Sequence, residues 1–382
     1  QDLRVWNRIV KDEKRKLRRL ELRPAVEVRN PVTTVSAWVT VRLLFSHYIS
    51  PTSNKPPLSL RSLTLRGLDF GGSIATLIRA VNFANLEHLE VTSMRNNRTF
   101  LVQLLPVLQE NEEFLRLERL HLSTIDDTDA NALDDFLRAC TSLTELTIKA
   151  KGPADWMVPN RASKTRHRET LRVFAWSVYE GEGMNGWEVH EAHPNMKTTI
   201  VPTLRELEEL SLHLGTSTIG NSRAAGTRAV RTLIDRISRR CPNLRALRFL
   251  RWPVYPPQAD ANITQPPAGG PHDDASVALL RHEVWEYTRR LVWNFLLYRS
   301  LVTRPANARD LRVLMIGTTS WDCLVDVAPP GHVYVLDDIP SLTYVRREQV
   351  DFDGVRSMVA VKADSSAIEY DDRRYAMFDY GK

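Results

Sequence analysis

A six-residue string, leucine–x–x–leucine–x–apolar, returns nine times along the chain. The copies are LRRLEL (17–22), LRSLTL (60–65), LEHLEV (86–91), LERLHL (117–122), LTELTI (143–148), LRVFAW (171–176), LEELSL (207–212), LRALRF (244–249) and LRVLMI (311–316), with phenylalanine once in place of the second leucine. In an extended strand, residues i and i+2 share a face. The fourth and sixth positions therefore point inward together, the residue between them points out, and the first leucine packs beside them from the preceding turn. One such string means little, but nine at a loose period predict a solenoid of stacked units, each burying its apolar face against the next.

The starts are separated by 43, 26, 31, 26, 28, 36, 37 and 67 residues. The short intervals fit a leucine-rich repeat of about 20–29 residues, and the long ones call for insertions. The segments between strings carry helical stripes. Ser73–Phe83 has Ile74, Leu77, Ile78 and Val81 on one face. Phe100–Leu108 precedes the fourth string, and Asp129–Ala139 has Leu133, Phe136 and Leu137, with Asp129 placed as N-cap. Arg228–Arg239 and Ala275–Leu301 are further helical candidates. The expected fold is α/β: an irregular leucine-rich-repeat solenoid, a curved horseshoe with parallel strands on the concave face and helices on the convex face.

A chain of 382 residues read this way is one elongated domain. Residues 1–50 form an N-terminal helix and cap with the first repeat, 51–320 the repeats, and 321–382 the C-terminal repeats and cap, which Val355–Val361 and Met377–Tyr380 complete. Insertions are expected at 150–168, a basic loop, at 179–203, which holds YEGEGMNGW, and at 253–274, with six prolines and two glycines. The composition of 253–274 buries too little apolar surface to order itself. No apolar run reaches the roughly 18 residues of a membrane span. No secretory signal opens the chain, and the start at Gln1 suggests that a longer protein has been trimmed. Cys140, Cys241 and Cys323 are odd in number and far apart, which points away from a disulfide framework and towards a reducing, intracellular compartment, cytoplasmic or nuclear.

Two helix-to-strand junctions are more specific. FLRACTSLTELTI (136–148) and ISRRCPNLRALRF (237–249) each place a cysteine three residues before the first leucine of a string. Cys140 and Cys241 read as small buried apolar groups at a tight corner, with Pro242 stopping the helix. This pattern resembles the cysteine-containing repeats of F-box/leucine-rich-repeat proteins, and the irregular periods and long loops resemble fungal members, over residues 17 to about 320. The resemblance implies a substrate receptor of a Skp–cullin–F-box ubiquitin ligase. The F-box that docks on the Skp adaptor is not visible in residues 1–50, so that contact would run through an N-terminal segment outside this chain.

The residues offer little chemistry. No HExxH spacing, GxSxG elbow or phosphate loop occurs, and GEGMN (181–185) reads as a turn. The acidic Asp126–Asp129 cluster lacks the glycine and distal glutamate of a calcium loop. The reading is of a non-catalytic protein-binding scaffold with no cofactor and no metal. Positions between the inward ones align as columns on the concave face, mixed-charge in the early strings and small or apolar in the later ones. The expected partner surface is His121, Ala175, Ser177, His213, Arg248, Leu250, Trp252 and Met315, an apolar patch with a polar rim. The competing reading is a nucleic-acid-binding or architectural subunit. It would use the basic patch of Lys149, Lys151, Arg161, Lys164, Arg166 and Arg168, whose six cations could neutralise several phosphates. The net charge of +6 permits that reading without requiring it.

Overall fold

The structure, a computed structural model, describes residues 18–22, 35–36, 57–66, 68–69, 74–92, 97–110, 116–125, 130–151, 167–179, 204–212, 237, 240–249, 311–316 and 342–363. The chain is α/β, with long, mostly parallel sheet and few helices among the described residues. It divides into two compact units, Gln1–Gly152 with Trp156–Leu171, and Pro153–Asp155 with Arg172–Lys382. The spacing of the strings does not mark this division.

In the first unit, β1 (Arg19–Leu22), β3 (Ser62–Arg66), β5 (His88–Thr92), β6 (Arg119–Ile125) and β7 (Glu145–Lys151) lie side by side, all parallel. Each is the strand expected from one string. A small separate pair joins β2 (Val35–Ser36) to β4 (Leu68–Asp69). In the second unit, β8 (Val173–Tyr179), β9 (Glu209–Leu212), β10 (Ala246–Phe249) and β11 (Val313–Ile316) are parallel. β12 (Leu342–Val350) then runs antiparallel to β11, and β13 (Arg356–Ala363) antiparallel to β12. Most of Val355–Val361, expected to help complete and cap the final repeats, lies in the second strand of that antiparallel hairpin. Met377–Tyr380 lies outside the described residues.

Register is fixed twice in every parallel step. The leucines align, Leu20 with Leu63, Leu89, Leu120 and Leu146 in the first unit, and Phe174 with Leu210, Leu247 and Leu314 in the second. All of these side chains are buried, as are the leading leucines Leu60, Leu86, Leu117, Leu143, Leu171, Leu207, Leu244 and Leu311. The backbone adds a second repeat. The carbonyl of the residue after each leading leucine accepts two N–H groups from the start of the next strand. Arg61 O takes Glu87 and His88, Glu87 O takes Glu118 and Arg119, and Glu118 O takes Thr144 and Glu145. Arg172 O takes Glu208 and Glu209, Glu208 O takes Arg245 and Ala246, and Arg245 O takes Arg312 and Val313, all at 2.7–3.0 Å. A carbonyl has two lone pairs, so one acceptor satisfies both donors where the chain turns into each strand.

Three helices are described: α1 (Ile74–Ala80), α2 (Asn97–Glu110) and α3 (Ala130–Ala139). The stripe expected for α1 is the buried one, Ile74, Leu77, Ile78 and Val81. In α3 the buried residues Leu133, Phe136, Leu137 and Cys140 fall at the i, i+3, i+4, i+7 spacing of one helical face. Helix α2 packs against both neighbours and onto β6, and its Phe100 meets Phe83 edge to face at 6.3 Å. Asp129, the expected cap of α3, and the candidate helix at 275–301 lie outside the described residues. So does most of 228–239, of which Ile237 is helical and buried.

The cysteine corners have the expected form. Cys140 and Cys241 are fully buried and neither is in a disulfide. The Cys140 N–H reaches Leu137 O at 3.3 Å and its thiol donates to Phe136 O at 3.4 Å, while the Cys241 N–H donates to Ile237 O at 2.8 Å. Each cysteine thus ends its helical turn and drops the chain into the next leucine. His167, which the sequence did not single out, braces the first of these corners. Its Nε2 lies 2.9 Å from Leu137 O, so Nε2 carries the proton and donates to a carbonyl of the last helical turn.

Candidate functional site

The face of each sheet opposite the leucines carries the columns in which a partner surface was expected. In the first unit, registered neighbours form two rows. One reads Arg19, Ser62, His88, Arg119, Glu145, and the other Glu21, Thr64, Glu90, His121, Thr147. Parallel strands stand about 4.8 Å apart, so long charged side chains at adjacent positions pair across the strands. Arg66 lays a two-pronged fork on Glu90, Nε to Oε1 at 2.9 Å and the terminal nitrogen to Oε2 at 3.1 Å. His121 Nδ1 lies 3.8 Å from the same carboxylate. Arg119 reaches Glu145 at 3.3 Å, and on the row where the strands begin Arg61 reaches Glu87 at 3.5 Å.

These contacts shift the ionisation of two groups. Burial disfavours the Arg66 cation, but the hydrogen bond and charge of Glu90, with Glu21 behind it, outweigh burial and raise its pKa. His88 is pushed below the usual histidine value by burial first and by Arg119 next, against the opposing pull of Glu145, Glu87 and Glu118. The outcome is a half-exposed polar ladder of fixed geometry. Arg61, Arg66 and Arg119 stand about half exposed. The carboxylates beneath them are more covered and hold the guanidinium planes, an arrangement suited to recognising polar or acidic groups with planar forks.

No protein family, curated protein or solved structure matches the chain.

In the second unit the same face is closed. Its two rows read Val173, Glu209, Ala246, Val313, Val345 and Ala175, Ser211, Arg248, Met315, Thr343. Ala175 is 9%, Arg248 5% and Met315 3% exposed, and Glu209, Ser211, Ala246 and Val313 are buried with them. Among the described residues of the expected apolar patch, Ala175, Arg248 and Met315 are therefore interior and not exposed. The physical reason is readable in the strands. Val173–Trp176 and Val313–Ile316 are continuous apolar runs, the composition of strands covered on both faces. Of the remaining expected partner residues, His121 is on the polar ladder of the first unit, Ser177 lies in β8, and His213, Leu250 and Trp252 lie outside the described residues. The basic patch is described only at its ends. Lys149 and Lys151 lie in β7, while Arg168 is half-buried with its Nε covered and without a hydrogen-bond partner, unlike a cation held out to phosphate. Arg161, Lys164 and Arg166 lie outside the described residues.

The structure thus moves attention to the first unit. The sequence had placed mixed charge there, but it did not single out the Arg66–Glu90–His121 and Arg119–Glu145 groupings. Alignment of the strings would have found them, since each pair occupies equivalent or adjacent positions of consecutive copies. Among the described residues no helix is long and apolar enough to cross a membrane.

Proposed function

We propose that the chain is a non-catalytic protein-binding scaffold: a leucine-rich-repeat solenoid, curved as a horseshoe, that serves as the substrate-recognition repeat domain of a Skp–cullin–F-box ubiquitin ligase receptor. The observation that carries the scaffold reading is the repeated strand start. The leading leucines are buried in turn, and carbonyls one residue after them accept paired N–H groups from the following copy. Stacking of this kind grows a broad surface from identical steps, the use to which repeat scaffolds are put. The cysteine corners at Cys140 and Cys241 support the family within that class.

Substrate recognition is assigned to the polar ladder of the first unit, where Arg66 and Arg119 are about half-exposed and Glu90, with His121 beside it, is more covered and holds the Arg66 guanidinium in place. Charge patterns of this kind select partners by complementarity. Affinity purification of the full-length protein followed by mass spectrometry tests both parts. The ligase reading expects the Skp adaptor and a cullin, and their absence overturns it. The surface assignment expects Arg66→Glu with Arg119→Glu to lose the remaining partners while keeping the adaptor. An unchanged partner set overturns the assignment alone.

A further inference from the structure

The polar ladder of the first unit is layered by charge. Arg66 and Arg119 keep side-chain exposures of 47% and 52%, whereas their partners Glu90 and Glu145 keep 23% and 17%. A group approaching this face therefore meets guanidinium before carboxylate.

The contacts also fix which edge of each guanidinium is used. Arg66 holds Glu90 through Nε and one terminal nitrogen, and Arg119 meets Glu145 through Nε. A guanidinium carries five N–H donors in a rigid fork, so a side chain anchored along its Nε edge still has terminal donors to offer. Anchoring in advance also lowers the entropy lost when a ligand is gripped. In both cases the anchor belongs to the next strand, β3 to β5 and β6 to β7, so the two forks lean the same way.

The register spaces these forks. Glu90 aligns with His121 and, through it, with Thr147, two residues beyond Glu145 along β7. The two anchors are thus two strand steps apart across the sheet and two residues apart along it. At about 4.8 Å per step and 3.3 Å per residue, that separation is about 12 Å. An extended peptide covers about 12 Å in three to four residues.

We infer that Arg66 and Arg119 together hold an extended acidic segment of a partner protein, its carboxylates three or four residues apart, laid obliquely across β5, β6 and β7. The inference rests on the assignment of substrate recognition to the same face. Each fork accepts one carboxylate of the segment through its terminal donors, in the planar geometry that favours guanidinium over ammonium. Nucleic acid suits the face less well, because its phosphates, one at every nucleotide, would also meet the glutamates interleaved with the forks.

Fluorescence anisotropy with the intact chain at low ionic strength tests this, using labelled glycine–serine peptides that carry two glutamates. The probe with glutamates three residues apart should bind about tenfold more tightly than the probe with adjacent glutamates, the scale of one charge-assisted hydrogen bond. Arg66→Gln and Arg119→Gln should each remove that preference without changing thermal unfolding. Glu90→Ala is the sharper variant. It makes the face more positive, so diffuse attraction would tighten binding of the spaced probe, whereas loss of the anchor should weaken it. Equal binding of the two probes, binding of neither, or tighter binding by Glu90→Ala overturns the inference. So does displacement of the spaced probe by a single-stranded oligonucleotide of equal charge at lower concentration than by the unlabelled peptide. No adaptor and no natural partner enters this assay. Loss of the Skp adaptor from the purified complex with the spacing preference intact overturns the ligase reading alone, and loss of the preference with the adaptor recovered overturns this inference alone.

Discussion

Replacing Thr147 with valine should stabilise the first unit, whereas the same replacement at Thr144, three residues earlier, should destabilise it. Thr147 is 3% exposed, and its hydroxyl is buried without a hydrogen-bond partner. A desolvated, unpaired hydroxyl costs about 1–3 kcal/mol. Valine keeps the β-branched shape that suits a strand and exchanges the hydroxyl for a methyl group whose burial contributes about 0.8 kcal/mol. Allowing for imperfect fit, the expected gain is about 1–2 kcal/mol. Thr144 is the opposite case, since its hydroxyl donates to Glu118 O at 3.0 Å. Losing that bond at a half-exposed position costs about 0.5–1 kcal/mol. Urea denaturation of the intact chain, followed by circular dichroism, measures both. With unchanged m-values of about 1–3 kcal/mol per molar, the two midpoints should move in opposite directions from wild type. A Thr147→Val midpoint at or below wild type would refute the reasoning, because it would mean that the hydroxyl is satisfied, for instance by a bound water.

Three further outcomes follow from local geometry. His167→Ala removes the donor to Leu137 O and should cost about 1–2 kcal/mol, read as a lower urea midpoint, with His167→Gln recovering part of it. Gly354 has φ +76° in the hairpin turn, with nothing within contact distance of an added Cβ. Gly354→Ala should therefore lose about 1–2 kcal/mol from backbone strain alone, Gly354→Asn less, and equal loss for both would point to a different cause. His88 has a folded pKa below its unfolded one, so the unfolded chain binds more protons in the window just below the ordinary histidine value. Its contribution is complete above about pH 6.5 and is lost as pH falls towards the depressed folded value. His88→Asn should flatten the rise of stability with pH between about 5 and 7, and an unaltered profile would exclude this role.

Most of the strand framework was legible because the leucine string encodes two things at once, alternation within a strand and a fixed place for the turn before it. Leu63, Leu89 and Leu120 could be aligned from spacing alone, and the structure registers them in that alignment. The α1 stripe and the cysteine corners were legible for the same reason, local periodicity. The closing hairpin was not, because LTYVRREQV and RSMVAVKA contain no leucine string. Their signal was different: two alternating runs around Asp351-Phe352-Asp353-Gly354, with Asp351 placed to accept the N–H groups of Asp353 and Val355 and a glycine where positive φ is needed. The sequence also misled at Ala175, Arg248 and Met315. Alternation identifies the face opposite the leucines but not whether that face is open, and Arg248, a residue type almost never buried without a partner, gave no local sign of lying inside.

The shared carbonyls at the strand starts make the stack directional. Each copy hands two N–H groups to the carbonyl of the copy before it. Removing copies from the amino-terminal side of a unit leaves two donors without an acceptor at the cut, whereas removal from the carboxyl-terminal side leaves a single carbonyl that water can reach. Backbone donors without partners are the rarer and costlier defect. Progressive trimming should therefore be tolerated from one end sooner than from the other, and where covering matters most is at the copy that comes first.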